Sequence, residues 1–160
     1  MREVLLERTR KPGEPRIRFP VEIDLTNDRD VTLASAGVLA ADKVRRARIR
    51  GLVDTLATDL VLPVSVAAAL GLEEKEEVVV CYGDERRGVG TDVRYVEVNL
   101  LGRDGVFSAI AEPDRKEALI GTIVLDSLDL VVNSREQRLE PRDPRGRTAS
   151  LGGDFEPRII

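Results

Sequence analysis

One aspartate stands out in the sequence because an apolar run leads directly into it. Leu52 and Val53 precede Asp54, and the chain becomes apolar again from Leu60 to Pro63. This pattern predicts a strand that delivers a carboxylate to its end, followed by a turn and a second entry into the core. A carboxylate in such a position is a candidate general acid or base.

The composition excludes most other hydrolytic chemistries. The chain has no histidine, which excludes Ser-His-Asp and Cys-His arrangements and zinc sites built on imidazole. Its one cysteine, Cys81, lacks a histidine base and is interpreted as a small strand residue. Asp126 and Asp129 lie on a predicted short helix and are expected to face water. We therefore predict neither a metal site nor a cofactor, and acid-base chemistry by carboxylates remains.

The charge pattern argues against nucleic-acid and membrane partners. The formal net charge is -4, with 25 basic and 29 acidic residues, and the two signs are interspersed along the chain. Such a surface has no field that would attract a nucleic acid or an anionic membrane. Arg46, Arg48 and Arg50 form a basic stripe, but no aromatic residue lies between them, so this stripe is interpreted as the solvent face of a strand.

The length of 160 residues predicts one domain. No window approaches the roughly 18 consecutive apolar residues that a membrane span requires. Met1 is followed by Arg2 and Glu3 and not by the apolar segment of a secretory signal. A single cysteine also agrees with a reducing compartment, so we expect a soluble protein in the cytoplasm.

Apolar and polar residues alternate in several short segments, which predicts a mainly β fold with little helix. The clearest alternation runs from Ile17 to Leu25. A second strand is predicted to begin at Arg46 and to run into Asp54. The segment from Ser65 to Leu70 has good helix formers and is followed by Gly71, which predicts a short helix. Further strands are predicted at 78–81, 91–101, 106–111, 118–120, 130–132 and 138–139, with one or two helical turns at 123–128.

The remaining segments have compositions that are typical of irregular structure. Residues 26–30 are predicted to form a turn, 31–44 is left unassigned, and 73–77 is predicted to be a charged link. Residues 1–15 are rich in charge, proline and glycine, so we expect a flexible leader. The domain is predicted at 16–141, and 142–160 is predicted to be a disordered tail.

The segment LVDTLATDLVLP, Leu52–Pro63, resembles the active-site loop of retropepsin-like (clan AA) aspartic proteases, which reads hydrophobic-hydrophobic-Asp-Thr-Gly-Ala before an apolar run. The matching residues of this loop are Leu52, Val53, Asp54, Thr55 and Ala57, together with the apolar run that ends at Pro63. Leu56 stands where the family has glycine. The helix expected after the loop also resembles that of bacterial single-domain members.

Other landmarks of the family follow in the same order. Leu119, Ile120 and Gly121 before a short helix resemble its second motif, and DLVVNSREQRLEP resembles its closing hairpin. The segment YGDERRGVG lies where the family has its flap, which makes Gly83, Asp84, Gly88 and Gly90 candidate flap residues. The resemblance extends over residues 17–141.

The resemblance implies a retropepsin-like closed β-barrel with one or two short helices, acting as a twofold homodimer. It also implies an aspartic endopeptidase that hydrolyses peptide bonds in a peptide or protein substrate. Asp54 and its symmetry mate would share one proton, so that one carboxyl acts as base on a water and the other as acid. Thr55 would hold the two loops together, and the flap would close over the substrate.

Leu56 leaves two functions open. A branched side chain beside the dyad would restrict the substrates of an active endopeptidase, whereas its N–H could still donate to the Asp54 carboxylate. Alternatively, the chain would be a catalytically silent retropepsin-like dimer that binds peptide or serves as a scaffold. Outside the resemblance, Asp54 could also be a structural turn residue, and Gly88 and Gly90 could be ordinary hairpin glycines.

Overall fold

The computed structural model describes residues 1–143, and the prediction of a mainly β fold is confirmed for them. The strands of this part of the chain are β1 (Glu3–Leu5), β2 (Arg18–Asn27), β3 (Arg46–Asp54), β4 (Leu60–Pro63), β5 (Glu73–Cys81), β6 (Arg87–Leu100), β7 (Arg103–Glu112), β8 (Ala118–Ile120), β9 (Leu130–Asn133) and β10 (Arg138–Pro141). The helices are short: α1 (Asp28–Ser35), α2 (Val64–Leu70) and α3 (Thr122–Ser127), with a 3-10 turn at Ala41–Lys43.

Eight of these strands form one sheet in the order β1-β5-β6-β2-β3-β8-β4-β7. An additional pairing of β6 with β7 connects two distant strands of this order. Strand β2 is antiparallel to β3, with Arg18 opposite Asp54. Strand β8 is parallel to β3 and antiparallel to β4, so it lies between the strands that enter and leave the Asp54 loop.

The alternation predicted for β2 is observed, because its apolar residues face the main core. Phe19, Ile23 and Leu25 are at most 3% exposed. They pack with Val53 of β3 and Ile120 of β8 in the larger of two apolar clusters. Since each strand contributes one face, this cluster fixes which side chains of β2 and β3 point away from it.

The predicted helix after the loop is confirmed as α2, which ends at Gly71 with a left-handed φ of 63°. Two other predictions were wrong. The turn predicted at residues 26–30 is instead the end of β2 and the start of α1. The Asn27 side chain accepts a hydrogen bond from the Asp30 N–H and caps the helix. The link predicted at 73–77 is part of β5, whose residues pair with β6 as far as Arg94. Backbone pairing therefore overrides a run of charged side chains.

Residues 1–15 differ from the expected flexible leader. Strand β1 pairs in parallel with β5, and Leu6 is 1% exposed. The Pro12-Gly13 turn, closed by the Glu14 N–H on the Lys11 carbonyl, then returns the chain toward β2. The predicted tail lies outside the described residues except for positions 142 and 143. Within residues 1–143, no helix has the length and apolar character needed to cross a membrane.

Candidate active site

Asp54 is the last residue of β3, and its side chain is fully buried. The Leu56 N–H donates to Asp54 Oδ1 at 2.9 Å. The other carboxylate oxygen, Oδ2, accepts from Arg16 Nη2 at 2.8 Å and from Arg18 Nε at 2.9 Å. Both oxygens are therefore occupied by donors of the same chain.

Burial alone raises the pKa of Asp54, because it disfavours the charged form. The hydrogen bonds from Arg16, the Leu56 N–H and Arg18 outweigh burial, so the pKa lies below its ordinary value. The carboxylate is therefore ionised at neutral pH. A carboxylate in this state accepts hydrogen bonds and has no proton to give.

Sequence reasoning missed the two arginines, although both belong to the predicted β2 region. Arg18 lies opposite Asp54 in the β2–β3 register, and residues opposite each other in an antiparallel pair are close neighbours on one face. Arg16 also pairs with Glu7. The alternation of Arg16 and Arg18 with apolar residues indicates that both arginines lie on one face of the strand. It does not indicate which strand pairs with β2, and so it does not predict that Asp54 lies beside them.

The turn after Asp54 is held by β2 and by its own backbone. Thr55 N–H donates to the Ile17 carbonyl at 3.1 Å, and the Ile17 N–H donates to Thr55 Oγ1 at 3.1 Å. Ala57 N–H donates to the Asp54 carbonyl, which closes the turn, and Ala57 is fully buried. Thr55 thus has a structural partner within one chain, and a hydroxyl that accepts can also donate one hydrogen bond.

Leu56 is accommodated without the backbone strain that a left-handed conformation would impose, because its φ lies outside that region. Its side chain is 3% exposed. Its N–H binds Asp54, as expected, and its carbonyl accepts from the Arg8 N–H at 2.8 Å. A leucine at this position is thus sterically accommodated in one chain.

The second motif packs directly on the Asp54 loop. Leu119 and Ile120 pair with Leu52 and Val53 in the parallel β3–β8 register. Gly121 immediately precedes α3, and a Cβ at this position would lie 2.6 Å from the carbonyl oxygens of Thr58 and Asp59. Two backbone hydrogen bonds continue this contact: the N–H groups of Thr122 and Ile123 donate to the carbonyls of Ala57 and Thr58.

The candidate flap residues divide between a turn and a strand. Gly83 and Asp84 lie in the turn that connects β5 to β6, where Asp84 accepts from Arg86. Gly88 and Gly90 lie inside β6, opposite Val80 and Val78. They are therefore strand residues and not part of the turn.

The turn of this hairpin approaches the N-terminal segment, which sequence reasoning had placed outside the domain. A Cβ at Gly83 would lie 2.5 Å from Glu7 Oε1. Glu7 also pairs with Arg16, which in turn binds Asp54. The hairpin turn and Asp54 are thus connected through Glu7 and Arg16.

In the part of the chain that the structure describes, no group of three or more Cys, Asp or Glu side chains is placed to hold a metal ion. In this arrangement, Asp54 is a buried carboxylate whose two oxygens both accept hydrogen bonds. Comparison of the chain with known protein families, with curated proteins and with solved structures finds no match.

Proposed function

We propose that this chain is an aspartic endopeptidase of the retropepsin type, in which Asp54 residues of two chains form the dyad. The observation that carries the proposal is the junction of two loops: the Asp54 turn packs on Gly121, at the ends of the parallel strands β3 and β8. This junction brings together two motifs that are 67 positions apart in the chain, from Asp54 to Gly121. One of these motifs carries the Asp54 carboxylate.

The proposed dyad requires a twofold dimer, because each chain contributes one such aspartate. In the dimer, two carboxyls share one proton; one accepts a proton from the attacking water and the other donates to the substrate carbonyl oxygen. The Leu56 N–H would stay on Oδ1 and hold the carboxylate in place. Because β6 also pairs with β7, the pairings form a ring through β6, β2, β3, β8, β4 and β7. This ring supports the further proposal of a closed barrel.

Catalysis also requires that the arginines leave Oδ2. An oxygen that accepts from Arg16 and Arg18 is a poor base, because both cations stabilise its charged form. Acidification would protonate Asp54 and weaken both ion pairs. We therefore expect the endopeptidase to be most active at acidic pH, where a carboxyl dyad also holds its shared proton.

A second candidate is a catalytically silent domain of the same type that binds peptide or serves as a scaffold. The specific observation in its favour is the complete burial of Asp54 between two arginines of its own chain, beside a buried Leu56. Such a carboxylate stabilises the loop as an ion pair and needs no catalytic role.

Cleavage of a peptide library from pH 7 down to pH values below the ordinary aspartate pKa of about 3.9 tests both candidates, because the pKa of Asp54 lies below that value. For the endopeptidase, the wild type cleaves, a statine-type inhibitor blocks cleavage, and Asp54→Asn reduces it to the detection limit because the dyad loses its acid and base. The matched control Asp24→Asn removes an exposed carboxylate of β2 that pairs with Arg48, and it is expected to leave cleavage unchanged. Cleavage that survives Asp54→Asn contradicts the dyad.

The silent candidate predicts a different pattern. The wild type cleaves no peptide, whereas Leu56→Gly restores the family loop and cleaves. An inactive wild type rejects the endopeptidase proposal, and a Leu56→Gly chain that is also inactive contradicts the prediction of the silent candidate. Sedimentation of the wild type at micromolar concentration supplies a separate test, because a strict monomer contradicts any dyad.

A further inference from the structure

The first eight residues run between two backbones of the same chain. On one side, the Leu6 N–H donates to the Cys81 carbonyl, and the Val79 N–H donates to the Arg2 carbonyl, both at 2.9 Å. On the other side, the Thr58 N–H donates to the Leu6 carbonyl at 3.1 Å, and the Arg8 N–H donates to the Leu56 carbonyl at 2.8 Å. This N-terminal segment, residues 2–8, therefore fills a groove between β5 and the Asp54 loop.

The floor of this groove is apolar and separate from the main core. Val4 and Leu6 are buried, whereas Leu5 between them is 55% exposed. The two buried side chains belong to the smaller apolar cluster, whose other buried members are Ala57, Val61, Val78, Val80, Ile110 and Leu119. Without Val4 and Leu6, the groove would offer apolar side chains between two rows of backbone donors and acceptors, which are the features that bind an extended peptide.

Acidic side chains surround the start of the segment. Arg2 donates to Asp92 Oδ2 at 2.7 Å and to Glu76 Oε2 at 2.9 Å. The Asp92 side chain is almost completely buried, and burial raises the pKa of the nearby Asp59. This end of the groove thus favours a cation at the position of Arg2.

The other end of the segment connects to Asp54. Glu7 pairs with Arg16, and Arg16 donates to Asp54 Oδ2. Arg8 pairs with Glu14. Hydrogen bonds from Arg8 and from the Lys11 N–H lower the pKa of Glu14 to about 2. Arg16 Nη2 thus lies between Glu7 of the segment and the Asp54 carboxylate.

We propose that residues 2–8 are an internal occupant of a peptide-binding groove, and that their departure opens the groove and removes Glu7 from Arg16, one of the two arginines that bind Asp54. The groove then takes an extended polypeptide with a basic residue at the position of Arg2 and apolar residues at the positions of Val4 and Leu6. This inference builds on the proposed function, since it assigns the substrate class of that site. Peptide binding itself requires no cleavage.

Binding of a fluorescently labelled peptide of residues 1–10, MREVLLERTR, to the full-length chain tests the proposal by anisotropy. The wild type is expected to bind weakly, because its own tethered segment competes at an effective concentration in the millimolar range. Leu6→Glu places a charge on the apolar floor and expels the segment, so this chain is expected to bind the probe at least about tenfold more tightly.

The matched control is Leu5→Glu, which changes the exposed neighbour and is expected to bind the probe as the wild type does. A control peptide that carries Glu at positions 2 and 6 is expected not to bind any of the chains. Equal affinity of the wild type and a folded Leu6→Glu chain for the probe overturns the proposal.

A reversible lock tests the same proposal without disturbing the apolar floor. Leu5 is the register partner of Cys81, the one native cysteine, so Leu5→Cys can form a disulfide that holds the segment in the groove. The oxidised chain is expected to bind the probe at least about tenfold more weakly than the same chain after reduction. Leu5→Ser is expected to show no response to reduction.

Equal probe binding by the oxidised and reduced Leu5→Cys chains overturns the proposal, because a locked segment would then not exclude the peptide. A chain that cleaves no peptide can still pass both binding tests. Rejection of the endopeptidase is therefore distinguishable from rejection of the groove.

Discussion

Asp54→Asn is expected to lower the free energy of unfolding by about 3 kcal/mol at pH 7. Removing one partner of a buried ion pair costs about 3–5 kcal/mol, because the remaining charge loses its compensation. The lower end applies here, since the side chains of Arg16 and Arg18 are 24% and 46% exposed and reach solvent. Urea denaturation of the wild type and the variant measures the difference.

The same pair of proteins should respond differently to acid. The folded-state pKa of Asp54 is lowered, so its contribution is complete above the unfolded value of about 3.9 and is lost as pH falls through the folded pKa. The stability difference should therefore be constant from pH 7 to about pH 5 and should shrink below about pH 4. Titration of stability with pH checks this.

Asp84→Asn is the matched control, because Asp84 also pairs with an arginine but both side chains are exposed. We expect it to leave the free energy of unfolding unchanged within error. Equal stability of the wild type and Asp54→Asn at pH 7 would contradict the ion-paired arrangement. A difference that shrinks as pH rises would instead indicate a protonated Asp54 with a raised pKa, as one carboxyl of a dyad has.

Gly121→Ala is expected to lower the free energy of unfolding by about 2–3 kcal/mol, the upper part of the range for overpacking. The backbone conformation at Gly121 suits alanine, with φ -94° and ψ -178°, so the effect is steric. The added Cβ would lie 2.6 Å from two backbone oxygens of the Asp54 loop, which cannot rotate away as a side chain can. Urea denaturation measures this loss.

Gly88→Ala is the matched control from the hairpin. A Cβ at Gly88 would have its nearest neighbour, Val80 Cγ2, at 3.4 Å. Alanine also loses less backbone entropy than glycine in a strand, so a gain of about 0.5 kcal/mol is expected. Equal effects of the two substitutions would contradict the close contact of the two motifs.

The two substitutions address different parts of one arrangement. Asp54→Asn removes the charge that holds Arg16 and Arg18, whereas Gly121→Ala displaces the backbone of the loop that positions Asp54. Because the Thr58 N–H also donates to the Leu6 carbonyl, displacement of this loop should weaken the hydrogen bonds that hold the N-terminal segment in its groove. Probe binding to Gly121→Ala should therefore increase even though its stability decreases.

Local patterns in the sequence were sufficient for the elements that surround the site. Alternation over Ile17–Leu25 predicted β2, the apolar run into Asp54 predicted the end of β3, and Gly71 predicted the end of α2. These features depend on neighbouring residues in the chain, whose burial and backbone preferences act within one strand or one turn. The Leu56 N–H contact with Asp54 was also accessible, since it spans two residues.

Long-range pairing decided the rest. The charges of Glu73–Glu77 indicated a link, yet pairing with β6 makes this segment a strand, and the charged residues 1–8 become ordered because Val4 and Leu6 bury apolar surface against distant residues. The state of Asp54 was decided in the same way. The sequence alone determined that a carboxylate ends a buried strand. Only the register of Arg18 opposite Asp54, and the path of Arg16 beside it, decided that this carboxylate is ionised and covered. The physical reason is that the energy of a buried charge depends on which cations lie within hydrogen-bond distance.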